Sequence, residues 1–282
     1  MMKKLLSLLL ALLAVLPAAG QAQITTKKVR IADFTEKTLK VVLTGNELLD
    51  SPLMEEVSAY WRMSPYEFCS GSDFERLKTS ADYYFLLVVQ GRFRKESAPG
   101  VNLLTLVKGG PEAAQGLDRM LDVVSVPWAS IEEPEGREFT FLGALLDIIQ
   151  DFTARSMKAD TKGYGGLTIY NSHLGECKGK QVFFDPSDIS QDVNSRMRNQ
   201  TLKEGMAVSE DADRMMAERR PGAVVSYTVA PSDGRNGSYC YKMLIDCETH
   251  ALYCYRKHRL SAGKRKGFQL GDLQAVAKVL TL

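Results

Sequence analysis

Residues 141–166 read FLGALLDIIQDFTARSMKADTKGYGG, and this stretch divides the chain. In its first half Phe141, Leu145, Ile148, Ile149 and Phe152 fall at helical spacing, while Asp147, Gln150, Asp151 and Arg155 lie off that stripe. The pattern predicts an amphipathic helix with one buried face. Its end, Lys162-Gly163-Tyr164-Gly165-Gly166, is glycine-rich and breaks regular structure. A helix followed by such a break closes one unit and opens another, which predicts a first unit over 23–161 and a second over 167–282.

Working outward, the two sides read alike. Towards the amino terminus, a β-like stretch at 29–34 precedes a strand at 39–44. A helix then opens at Asp50 or Ser51, with Pro52 in its first position and Leu53, Val57, Tyr60 and Trp61 on one face. A short strand at 66–70, a small helix capped by Ser72-Asp73, and strands at 83–90, 101–107 and 120–128 lead into the 141–152 helix. Beyond the break come a short strand at 167–170 and a clearer one at 181–184. A helix at 189–199 capped by Ser187 or Asp188, a strand at 206–209 and a helix at 211–219 follow. Strands at 223–230, 238–246 and 251–258 precede a last helix from Gly271-Asp272, carrying Leu273, Val276, Ala277 and Leu280. The predicted fold is therefore α+β: two tandem β-α-β-α-β-β-β-α units, each a mixed sheet with helices packed on one face. Residue identity between the halves is negligible, so the repeat is one of topology.

The first 22 residues have the three parts of a secretory leader. Lys3 and Lys4 precede an apolar run over 5–16, then come Pro17 and the small residues Ala18, Ala19, Gly20 and Ala22. The run is shorter than the about 20 residues that span a hydrocarbon core, so a cleaved signal peptide at 1–22 is expected rather than a transmembrane anchor. Export to the periplasm or the extracellular space follows. The chain holds 36 basic and 34 acidic residues, and losing Lys3 and Lys4 leaves it formally neutral. A neutral chain has no global field to draw it onto nucleic acid.

Five cysteines (Cys69, Cys177, Cys240, Cys247 and Cys254) have no C-x-x-C spacing, and only His173, His250 and His258 are present to join them. No metal and no organic cofactor is expected. Cys240 and Cys254 read as small hydrophobes in apolar strands, with one disulfide among the last three cysteines as the alternative. Ser261-Ala262-Gly263-Lys264 matches S-x-x-K but lies in a basic, glycine-containing loop without the companion S-D-N or K-T-G motifs, so it carries no catalytic expectation. Asp185, Asp188 and Asp192 read as helix capping and first-turn charge rather than as a calcium site. Tyr60 and Trp61 read as core. The tyrosines Tyr239, Tyr241, Tyr253 and Tyr255 alternate on paired strands, either buried or open to a partner. The feature with most local charge is Arg256, Lys257, Arg259, Lys264, Arg265 and Lys266, uninterrupted by any acid. It is the candidate partner-binding set, for an envelope protein or an anionic glycan.

The element order, behind a leader, resembles the small α+β domain of the TolB amino-terminal region, of curli-secretion channel subunits and of outer-membrane activators of peptidoglycan synthesis. The runs Gly45-Asn46-Glu47-Leu48-Leu49-Asp50 and Ser64-Pro65-Tyr66-Glu67-Phe68 are similar to exported proteins of Bacteroides-type bacteria. The first resemblance implies binding or assembly at the envelope, and it transfers no catalytic residue. The expected function is thus a non-enzymatic envelope protein acting by binding or assembly. An exported hydrolase of glycan or peptidoglycan is the alternative, and an adhesin-like module a third reading.

Overall fold

Runs of β-branched and aromatic residues on either side of the 161–165 segment build two five-stranded sheets, one from each half of the chain. The computed structural model describes residues 28–91, 96, 98–132, 136–160 and 166–281. The leader at 1–22 and nearly all of the glycine-rich break lie outside the described residues. The first sheet comprises β1 (Thr38–Val42), β2 (Tyr66–Cys69), β3 (Tyr83–Gly91), β4 (Val101–Lys108) and β5 (Leu121–Ser130), in the order β2-β1-β3-β4-β5. Its helices are α1 (Glu47–Tyr60), α2 (Gly71–Leu77) and α3 (Arg137–Lys158). The second sheet comprises β6 (Gln181–Phe184), β7 (Met206–Val208), β8 (Ala223–Val229), β9 (Tyr239–Asp246) and β10 (Leu252–Arg259), with α4 (Ser195–Thr201), α5 (Ala212–Ala217) and α6 (Leu270–Leu280). Its order is β7-β6-β8-β9-β10. In both sheets the first strand pairs parallel with its two neighbours, and the remaining pairs are antiparallel. The two units therefore share strand order and strand sense, which is the α+β tandem arrangement.

Alternation along the strands decides what each face meets. In the first unit Leu39, Val41, Tyr84, Leu86, Leu104 and Leu106 join Leu53 and Val57 of α1 and the stripe of α3 in one core. The opposite face, with Val42, Phe85, Leu87 and Val107, is closed by Phe74 of α2 together with Ala113 and Met120. In the second unit Val182, Phe184, Val224 and Leu244 pack on Leu273, Val276 and Ala277 of α6. Val225, Tyr227, Met243 and Ile245 turn the other way, towards Ala212, Met215 and Met216 of α5, and share the core that contains α3. Thus α3 closes the first unit and also covers a face of the second.

Several local readings change. Residues 28–36 form a helical turn (Lys28–Ile31) and a 3-10 turn (Phe34–Glu36) instead of a strand, because Ile31 and Phe34, three apart, both enter the core. Helix α1 starts at Glu47 with Asn46 as its cap, so Pro52 lies inside it. Asp50 does not cap a helix. Its carboxylate accepts from Thr44 N, Thr44 Oγ1 and Gly45 N, each at 2.8 Å, and ties down the β1–α1 turn. Ser70, not Ser72, caps α2 through a reciprocal pair with Asp73. The 167–170 stretch belongs to a 3-10 segment, Gly166–Cys177, whose Leu167, Tyr170, Leu174 and Cys177 recur every three or four residues and are buried. Ile189 is held extended by a parallel bridge to Phe268, so the helix expected at 189–199 begins only at Ser195, capped by Asn194. The 3-10 segment also serves the outer strand β10: Asn171 Oδ1 accepts from Tyr255 N and Asn171 Nδ2 donates to Tyr255 O, both at 2.9 Å. Among the described residues no helix is long and apolar enough to cross a membrane.

Candidate functional site: the basic loop and the cleft beside it

The connection from β10 to α6 is short and strongly tied. Ser261 and Lys264 exchange backbone hydrogen bonds at 3.1 and 3.0 Å, which makes Ser261-Ala262-Gly263-Lys264 a two-residue turn rather than the helix start that S-x-x-K chemistry requires. Arg265 folds back onto Asp192, which accepts from Arg265 N at 2.8 Å and from Nε at 2.9 Å, while Nη1 reaches Gln191 at 2.8 Å. The Arg265 amide and guanidinium hold the Asp192 carboxyl below the usual carboxylate range. Gly267 has φ +102° and passes so close to the 188–190 backbone that an added Cβ would lie 2.6 Å from Ser190 N. Its own N–H donates to Cys240 Sγ at 3.2 Å. The loop is strapped at its base and free at its tip.

The six basic candidates consequently fall into three places. Arg256 turns to the α6 side and donates to Asp272 at 3.1 Å. Lys257 and Arg259 turn to the opposite face and lie 5.3 and 5.1 Å from the Tyr239 ring centroid. Arg265 is spent on Asp192. That leaves Lys264 and Lys266, both exposed and, among the described residues, without an ionic or hydrogen-bonding partner for the side chain. Lys266 also borders a cleft with Ser130, Arg137, Ser187, Asp188 and Thr228. This cleft opens where β6 and β8 end, against the edge of β5 and the start of α3.

Arg137, the first residue of α3, anchors its floor. Its Nη atoms both donate to Asp188 at 2.8 Å, and its Nε donates to Asp213 at 2.7 Å. Asp188 also receives Ser226 Oγ at 2.6 Å and is 1 % exposed, so it caps no helix; Asp185 caps the short 3-10 turn Pro186–Asp188 by accepting from Ser187 N. Burial alone would lower the Arg137 pKa, but the two carboxylates outweigh it and raise it, so the guanidinium stays charged. Phe141 and Tyr227 stack beneath it at 4.1 Å. Sequence reading missed this centre because its members lie 51 and 76 residues apart and each looks ordinary in its own segment.

A second cleft lies at the other end of β9 and β10. There His250 Nδ1 meets Asp147 Oδ2 at 2.7 Å, Tyr170 OH donates to Asp151 at 2.6 Å, and His173 Nδ1 meets Glu176 at 2.6 Å. His250 has φ +59°, a left-handed conformation at the hairpin turn that glycine adopts more easily. The five cysteines are free and buried. Burial pushes the Cys177 and Cys247 thiols up to about 12 and those of Cys240 and Cys254 up to about 11, so they remain protonated. Among the described residues no three His, Cys, Asp or Glu side chains gather to hold a metal ion. Tyr241, Tyr253 and Tyr255 are buried, so the tyrosine-rich hairpin is largely core.

No protein-family model, curated protein or solved structure matches the chain.

Proposed function

We propose that this is an exported, non-enzymatic binding protein of the cell envelope, and that its ligand is an anionic glycan held against Lys264 and Lys266. The observation that carries the reading is the division of labour in the basic run. The other four cations are engaged within the protein, while these two stand exposed on a turn whose base is fixed by Arg265, Gly267 and Phe268. Fixing the base lowers the entropic cost of presenting the charges. The adjoining cleft is lined by Ser130, Ser187 and the Arg137–Asp188 pair beside Lys266, a polar lining that suits sugar hydroxyls better than an apolar protein anchor would. The apolar start of the chain supports export, and the element order supports a binding or assembly role. A hydrolytic reading has one observation in its favour, the Asp147–His250 pair, which would orient an imidazole as a base. Among the described residues, however, no hydroxyl or thiol is hydrogen-bonded to that imidazole, and binding is the better account.

The test is the double variant Lys264→Ser/Lys266→Ser against the parent on an immobilised uronic-acid polysaccharide. With up to about 1 kcal/mol from each exposed charge, affinity at low salt falls on the order of tenfold, and the difference narrows at physiological salt. The melting temperature stays unchanged. Equal binding by the two proteins at low salt would overturn the reading, and loss of binding only to acidic proteins would replace the glycan with a protein ligand.

A further inference from the structure

Beneath the basic loop lies an interior unlike the rest of the protein. Among the described residues, the buried side-chain polar atoms without a hydrogen-bond partner are Thr228 Oγ1, Ser238 Oγ and His258 Nδ1. All three belong to one face of the second sheet. Register places Thr228 opposite Lys242 and His258 opposite Cys240, and Ser238 precedes Cys240 by two residues on the same face. Gly267 N–H on Cys240 Sγ shows that the loop covers this patch.

His258 connects the patch to the loop. Its Nε2 lies 3.0 Å from the Arg265 carbonyl, an acceptor, so Nε2 carries the proton and Nδ1 is a bare lone pair. The same carbonyl accepts from Gln269 Nε2 at 2.8 Å. The ionisable groups around the ring are Cys240 and Lys242 on β9, Arg256 on β10, Asp272 on α6, and Lys264 and Arg265 of the loop, with Asp192 holding Arg265 from the 188–192 segment. Both Lys242, at 2.5 Å, and Arg256 already use Asp272. Asp272, the carboxylate whose charge reaches the ring, is thus already shared by two cations.

Resting on the binding reading above, we infer that His258 is an acid-operated latch: its protonation releases the 261–268 loop and with it the geometry that presents Lys264 and Lys266. A proton on Nδ1 places a charge with no acceptor beside Lys242. The ring escapes by turning to water, and in doing so it gives up the Arg265 carbonyl. Burial and the Lys242 ammonium lower the His258 pKa, with the bond to Arg265 acting the other way, so the latched form is the neutral one. Because the folded value is depressed, the latch is fully held above the ordinary histidine pKa near 6.5 and is lost as pH falls below it. Each pH unit below that value favours the released form by up to tenfold, which gives at most about 30-fold at pH 5.

The experiment is hydrogen–deuterium exchange of the whole protein at pH 7.5 and 5.0, corrected for intrinsic exchange, in the parent and in His258→Gln. Glutamine still offers an N–H to the Arg265 carbonyl and does not titrate. Protection of the Gly267 and Phe268 amides is expected to fall, by at most about 30-fold, in the parent at pH 5.0 and to stay constant in the variant. Unchanged protection in the parent, or an equal fall in both proteins, would overturn the latch. The parent alone decides the matter if the variant does not fold. Glycan binding at pH 7.5 is measured separately, so a failed latch and a failed ligand assignment give different results.

Discussion

The two units share a topology and differ in what they bury. In the first, ion pairs sit at the rim, as in Lys37–Asp82 at 2.9 Å and Lys108–Asp33 at 2.7 Å, and both faces of the sheet are packed with apolar side chains. In the second, Lys242, Asp188 and Asp246 are each at most 2 % exposed and lie within or directly beside the sheet. The same strand order is thus compatible with ion pairs at the rim and with ion pairs in the interior. The charged interior surrounds the strapped loop. Buried pairs of this kind add little net stability over an apolar core, but they punish the loss of one partner.

That asymmetry gives the comparison its sharpest test. Arg137→Ala removes the partner shared by Asp188 and Asp213 and leaves the Asp188 carboxylate buried with Ser226. The expected cost is about 3–5 kcal/mol in urea unfolding, whereas breaking an exposed first-unit pair such as Lys37–Asp82 should scarcely move the curve. A loss below about 1 kcal/mol for Arg137→Ala would erase the distinction. Lys242→Met comes next, at about 2–3 kcal/mol, because Arg256 still answers Asp272. Burial by itself would raise the Asp272 pKa, but Lys242 and the hydrogen bonds from Gln269 and Arg256 outweigh it and keep it low. Stability from this carboxylate is therefore present above the ordinary range near pH 4 and disappears as pH falls through its depressed value. Stability measured from pH 5 to pH 2 should drop less in Lys242→Met than in the parent. The smallest effect, about 1–3 kcal/mol, is expected for Gly267→Ala, from its positive φ and the close 188–190 backbone. A melting temperature equal to the parent's would mean the strap is loose.

What the sequence made legible follows from how far apart the deciding residues lie. The 141–152 stripe and the β-branched runs carry their own periodicity, so the order of the main strands and helices and the α+β class could be read from them. Helix starts were harder. Asp50 and Asp188 are chemically good caps, yet each carboxylate is claimed by a different partner, the Thr44–Gly45 turn in one case and Arg137 in the other. Ile189 is held extended by Phe268, 79 residues on, which local propensity cannot foresee. The basic run was visible as charge, but its sorting was not, because Asp192, Asp272 and Tyr239 select among its members through the fold.

The Asn171 amide bonded to Tyr255 bears on how this protein meets others. A side-chain amide there occupies a donor and an acceptor of β10, the position an added strand would need. At the far side of the same sheet, β7 offers only the three residues Met206–Val208 as a template. Growth of the second sheet by main-chain pairing is obstructed at Tyr255 of β10 and has little to grip along β7. A partner that delivers an extended strand would find the Tyr255 position of β10 already taken and three residues to pair with along β7.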